Sequence, residues 1–238
     1  MEWWVSMPKV ELHAHLNGSI RDSTLLELTK ALGEKDNRSV KEVFQLFDLI
    51  RILTTDHAIV TRITREVIED FASENVVYLE LRTTPKRNEA IGMTKGSYIE
   101  AVLEGLRSVT SVDVNFIPHH KEDSRTLFSP NNGSSRKRIY VRLLLSIDRR
   151  ETTEAAMETV KLALERSSLE SSESTSPEIH LLVTVFTGLG KRELFELSRN
   201  AVELIFAERQ VQEDLTKYFD SVAKTMGVYK NKIHSYEL

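Results

Sequence analysis

Residues Val76 to Arg82 read VVYLELR, a run of β-branched, aromatic and aliphatic side chains too continuous to keep one face in water. Such a strand belongs in a parallel sheet covered on both sides, and Pro85 stops it. Ile139 to Asp148 (IYVRLLLSID) repeats the constraint. Around these runs lie helical stripes. Ile59, Val60, Ile63, Val67, Ile68 and Phe71 predict a helix from about Asp56 to Glu74, and Tyr98, Ile99, Val102, Leu103 and Leu106 predict one over 94–109. Another is expected from about Thr152 to Glu165. Strands separated by helices argue for parallel βαβ units in an open sheet or a (β/α) barrel.

The start of the chain adds a strand with a polar face. In Lys9 to Asn17, Val10, Leu12, Ala14 and Leu16 alternate with Glu11, His13, His15 and Asn17. Gly18 and Ser19 break it. Thr24 with Glu27 forms a capping-box pattern for a helix to about Lys35, and Ser39 with Glu42 forms a second that opens a helix reaching Ile50. Thr110 to Arg138 reads as a polar loop. Beyond Glu165 the pattern changes: residues 167–177 (SSLESSESTSP) hold six serines in eleven positions, a linker composition. One apolar run follows, Ile179 to Phe186, and then helices over Lys191 to Ala207 and Val211 to Lys224. The chain therefore divides into an N-terminal part of a barrel (1–166), a serine-rich linker or splice junction (167–178), and a short strand with C-terminal helices (179–238).

His13 and His15 lie two apart on a strand, so both imidazoles project to one side and can share a metal ion. With no cysteine in the chain, a transition metal must be held by histidine and carboxylate. A formal charge of -4 gives no general attraction for nucleic-acid polymers or anionic membranes. No apolar run approaches a membrane span, and a cytosolic location is expected. Glu80 and Arg82 share a face of the second strand and are read as a structural ion pair. Arg136, Lys137 and Arg138 are read as a solvated basic cluster, and Trp3 and Trp4 as packing beneath the sheet.

Pro8 to Ser19 (PKVELHAHLNGS) closely resembles the first-strand signature of the adenosine and AMP deaminase superfamily. Asn17 is similar to the adenosine deaminase-like branch, which removes methylamine from N6-methyl-AMP. Val77 to Pro85 (VYLELRTTP) and Val141 to Arg150 (VRLLLSIDRR) resemble the second and third strands of that family, and Gly190 to Ala207 its terminal helix. The resemblance implies a TIM-type (β/α) barrel of the metal-dependent hydrolase kind, with one catalytic zinc and a small purine nucleotide as substrate. His13 and His15 match two zinc ligands. His15, Asn17, Thr54 and Asp148 match the substrate side, although Arg51 stands where the family carries His.

Several family motifs have no counterpart: the third zinc His with its proton-shuttling Glu, a further His that helps activate the water, and the zinc Asp of the last strand. After Asp148 the only aspartates are Asp214 and Asp220, both in a helical pattern. His57 begins a helix, His119 and His120 lie in the polar loop, His180 starts the late apolar run, and His234 lies in the tail. No catalytic acid or base is identified. A barrel of this type takes about 250 residues, whereas three strands and their helices already use this chain to residue 165. The expected fold is thus an incomplete barrel of three to four strands out of eight, open to self-association at its exposed edges. Three functions follow: a zinc-dependent purine nucleotide deaminase, a catalytically inactive truncated variant of it, or another His-x-His metallohydrolase.

Overall fold

A computed structural model of the chain describes residues 3–36, 50, 52–117, 137–148, 150–167 and 190–228. Four parallel strands form its centre: β1 (Lys9–His15), β2 (Val76–Thr83), β3 (Asp113–Ile117) and β4 (Arg138–Leu145). Their order across the sheet is β1-β2-β4-β3, so β4 inserts beside β2 and β3 takes the outer position. The helices are α1 (Trp3–Ser6), α2 (Asp22–Asp36), α3 (His57–Ser73), α4 (Lys95–Arg107), α5 (Thr153–Ser167), α6 (Lys191–Asn200) and α7 (Arg209–Thr225). The four strands among the described residues lie parallel under a layer of helices, as in a TIM-type barrel, and are fewer than the eight that close one. No described helix is long and apolar enough to cross a membrane.

Strand β2 is covered on both sides because its neighbours require it. Leu79 and Leu81 face the layer of α3 and α4, where Val60, Ile63, Val67, Ile68, Ile99 and Val102 complete the main core at 2% exposure or less. The alternate residues Tyr78, Glu80 and Arg82 look to the inner side of the sheet, beside Tyr140, Arg142 and Leu144 of β4. Near the beginning of the strands that inner side is closed by the C-terminal helices. Phe195 and Phe219 stack edge to face at 5.6 Å and pack with Val202, Leu215, Met7, Tyr78 and Tyr140 into a second core. Fully burying one such phenyl ring contributes about 1.5–3 kcal/mol. The Ser198 hydroxyl donates to the Pro8 carbonyl at 3.0 Å and fastens this floor to the start of β1.

Several sequence expectations are corrected. The first strand stops at His15, and Leu16–Gly18 turn as a 3-10 helix. Its alternation is also broken: Glu11 aligns with Leu79 but Ala14 with Leu81, so β1 carries one extra residue. Val10 and Leu12 therefore pack on the floor side, while Ala14 and Leu16 pack in the main core. Thr24 caps no helix. It lies inside α2, and its hydroxyl donates to Glu66 Oε2 at 2.6 Å, while Glu27 pairs with Arg62 at 2.7 Å. Tertiary partners outcompete the local capping pattern. The segment expected as a loop over Thr110 to Arg138 contains β3, whose Val114 and Phe116 pack against the main core. The C-terminal helix expected to Ala207 ends at Asn200 and continues as a 3-10 turn over Ala201–Leu204.

Other expectations hold with small adjustments. Helix α3 begins where the Asp56 carboxylate accepts from the Ile59 N–H at 3.1 Å, and Thr94 with Ser97 forms the capping box of α4. Trp3 packs on the floor core, but Trp4 is 46% exposed and only meets Trp3 edge to face. Ser167, expected to open the serine-rich linker, closes α5 instead, and the helix expected after Ser39, the rest of that linker (168–178), the run Ile179 to Phe186, Arg136 and His180 lie outside the described residues.

The Glu80 carboxyl is not held chiefly by Arg82. It is 1% exposed, and its Oε1 accepts from the Phe206 N–H at 2.8 Å and the Tyr78 hydroxyl at 3.1 Å. Burial pushes its pKa up, against the pull of those donors and of Arg82 and Arg142. A carboxyl whose folded pKa lies above its unfolded one contributes stability that is full below the unfolded pKa and is lost as pH rises through the folded one. Glu80→Gln keeps the acceptor oxygen and removes the charge. Urea titrations should therefore show a smaller decline in stability between pH 4 and pH 7 than in the parent chain. Helix α3 also meets α4 very closely at Gly105: an added Cβ would stand 2.5 Å from Thr64 Cβ and 2.7 Å from the Thr61 carbonyl. Gly105→Ala should cost about 1–3 kcal/mol in the same urea assay.

Candidate functional site

The helix layer and the floor leave one end of the sheet open, the end where the strands finish. There the turns after β1, β2 and β4 surround a cleft of about 1100 Å³, with Asn17, Thr84, Lys86, Arg87, Asp148 and Arg150 in its wall. In barrels of this class active sites are built at that end. Its charges are cross-linked: Arg87 pairs with Glu158, Asp148 with Arg150 at 2.7 Å, and Lys95 with Glu151 at 2.8 Å. Lys95 is 2% exposed and also donates to the Ala155 carbonyl and the Thr159 hydroxyl, each at 2.8 Å. It thereby ties α4 to α5 and fixes the turn that carries Asp148. A buried ammonium with three acceptors is satisfied, which explains how it survives in the interior.

The expected site residues are only partly brought together. Asn17 and Asp148 line the cleft. Asn17 Oδ1 is buried and accepts from no donor among the described residues, and an orphaned acceptor of this kind on a cleft wall suits a ligand hydroxyl or amine. Thr54 is 1% exposed. Its hydroxyl donates to the Ile50 carbonyl at 2.7 Å and accepts from Lys86 Nζ, so it reaches the cleft only through Lys86. Sequence reasoning singled out none of Lys86, Arg87, Lys95 or Arg150. The available signal was position alone, since Lys86 and Arg87 follow the strand that Pro85 ends and Arg150 follows Asp148.

His13 and His15 lie apart from the cleft wall, on the inner side of β1, and both are exposed. The extra residue in β1 places them with Leu12 on that side, and His15 aligns with Arg82 of β2. The Glu11 carboxylate accepts from the His13 N–H at 2.8 Å and steadies the irregular stretch. The two Nε2 atoms are 3.2 Å apart, one ring donating to the other. At metal–nitrogen distances of 2.0–2.1 Å that separation subtends about 100–106°, close to the tetrahedral angle. As a pair the imidazoles fit one metal ion. A catalytic zinc needs three protein ligands and a water, yet no group of three or more His, Asp or Glu suited to a metal occurs among the described residues. The described donor set does not fit a complete catalytic zinc centre. Partial burial, then His13, then Arg82 lower the pKa of His15, so the ring stays neutral to a more acidic pH than an ordinary histidine. An NMR titration should place the His15 midpoint below 6.5.

Comparison with known proteins agrees with this geometry. The adenosine deaminase family model matches residues 8–170. The N6-mAMP deaminase of Arabidopsis thaliana is 66% identical over 179 aligned positions, in a match that covers 69% of this chain and 50% of that protein. The N6-methyl-AMP deaminase of Homo sapiens is 35% identical over 176 aligned positions, in a match that covers 69% of this chain and 43% of the relative. The chain thus spans about half the length of the curated relatives it matches. Among solved structures, Arabidopsis ADAL complexed with GMP superposes with a TM-score of 0.72 at 38% identity, covering 93% of this chain and 99% of that one. The ADAL–IMP complex gives 0.74 at 37% identity, covering 94% and 99%. Strands β1, β2 and β4, the cleft at their ends and the histidine pair all fall within the matched region, and the chain belongs to the adenosine deaminase family.

Proposed function

We propose that this chain is, by descent and by ligand, a purine nucleotide deaminase of the N6-methyl-AMP type, cytosolic, with a purine nucleoside monophosphate as its small-molecule partner. The observation that carries the reading is the cleft at the strand ends, where Asn17 offers an unpartnered acceptor and Asp148 is held in the wall by Arg150. The nucleotides named with the two similar solved structures, GMP and IMP, support a monophosphate ligand. The reaction replaces the methylamino group at C6 of the purine with the oxygen of water and releases methylamine. His13 and His15 would hold the family's zinc.

One specific observation favours the reading as an inactive variant for this particular chain. The sequence match accounts for half of the Arabidopsis relative, whereas the structural superposition reaches across nearly all of the solved chain. This supports a polypeptide that keeps the first strands and the closing helices and omits a stretch between them, with residues 167–178 as the junction. Nucleotide binding and turnover then separate. We expect calorimetry to detect IMP binding that Asn17→Ala weakens about tenfold, the scale of one lost hydrogen bond. We expect no methylamine from N6-methyl-AMP above the uncatalysed background. Turnover at a stoichiometric zinc load would mean that residues outside those described complete the site, and absence of IMP binding would refute the nucleotide assignment.

A further inference from the structure

In the turn after β4 the sequence runs Arg149, Arg150, Glu151, Thr152, with two arginines three and two positions ahead of a hydroxyl. We propose that Thr152, at the rim of the cleft, is a phosphate acceptor for a protein kinase that reads arginines ahead of the acceptor, and that the phosphate placed there keeps anionic ligands out of the cleft. Thr152 is exposed and stands just before α5. Its hydroxyl oxygen accepts from the Ala155 N–H at 3.3 Å and shares its hydrogen with the exposed Glu154 carboxylate. Both bonds are local and give way when the first turn of the helix frays. The Arg150 side chain is 78% exposed, and its fork to Asp148 is a surface pair of little energy. Carboxylates in a kinase's docking groove therefore draw that guanidinium away readily.

In the transfer, the Thr152 oxygen attacks the terminal phosphorus of the kinase-bound nucleoside triphosphate. The bond from that phosphorus to the bridging oxygen breaks, the diphosphate leaves with its electrons, and the hydroxyl proton passes to the kinase's catalytic aspartate. The product carries a charge of about −1.5 to −2 at neutral pH. Thr152 shares its cleft with Lys86, Arg87, Lys95 and Arg150. Those cations already have partners: Lys86 meets Thr54, Arg87 meets Glu158, Lys95 meets Glu151 and Arg150 meets Asp148. A fixed phosphate at 152 raises the negative charge of the wall and competes for Arg150, the cation nearest to it in sequence. A nucleoside monophosphate then meets repulsion where it needs a counter-charge. This gating rests on the nucleotide reading, whereas the acceptor site does not.

The full chain is incubated with magnesium, ATP and an arginine-directed protein kinase, the phosphate is mapped by peptide mass spectrometry, and IMP binding is measured by calorimetry before and after. The expected result is about one phosphate per chain, on Thr152. Thr152→Ala should abolish incorporation and Thr153→Ala should not, while Arg150→Gln, with circular dichroism to confirm an unchanged fold, should slow it about tenfold or more. The phosphorylated chain should bind IMP about tenfold or more weakly than the mock-treated chain, and a phosphatase should restore the affinity. Phosphate absent from Thr152, or found on Thr153 in its place, would overturn the proposal. Equal IMP affinity in the two forms would overturn the gating. If neither form binds IMP, the nucleotide reading and the gating that rests on it fail together, and the mapping alone decides for or against Thr152 as the acceptor.

Discussion

The molecule depends on the burial of β2 from both sides. A strand reading VVYLELR has no face to offer water, so one layer of helices must cover Leu79 and Leu81 and something else must cover Tyr78 and Glu80. In a closed barrel that second cover is the opposite wall. Here, near the beginning of the strands, α6, the following 3-10 turn and α7 supply it, with Phe195 and Phe219 against Tyr78. Toward the other end no such cover is present among the described residues, and the same inner side becomes the exposed ground on which His13 and His15 stand. Floor and site are two answers to one requirement.

The features legible in the sequence were those set by local periodicity. The stripes of α3 and α4, the caps at Asp56 and Thr94 and the apolar runs of β2 and β4 follow from residues within a few positions of each other. Features decided by distant partners were misread. Thr24 carries a capping pattern but meets the carboxylate of Glu66, forty-two residues away. Strand β3 is not evident although Val114 and Phe116 alternate in it, because its polar surroundings outweigh five residues whose identity as a strand comes from pairing with β4. The extra residue in β1 left no mark in the hydrophobic pattern, since Leu12 suits either face.

The site shows the same division. The nearness of the two histidines and the place of Asp148 at a strand end are legible from spacing and position. The cations around the cleft are not, because lysine and arginine after a strand look like any solvated loop until Glu151, Glu158 and Asp148 are seen to hold them. Thr54 lies one layer behind the cleft wall, with its buried hydroxyl engaged by the Ile50 carbonyl and Lys86.

The bond from the Phe206 N–H to Glu80 has a consequence for how such a chain changes over generations. Its donor is main chain, so every residue except proline supplies it, and exchange of the side chain at 206 leaves the link untouched. Its acceptor lies 126 positions earlier. A contact of this kind leaves no trace in paired substitutions, yet it makes the last segment hard to discard: losing it would leave the Glu80 carboxyl with the Tyr78 hydroxyl as its remaining donor. The end of the chain is thereby tied to the second strand by a bond that no side-chain exchange short of proline removes.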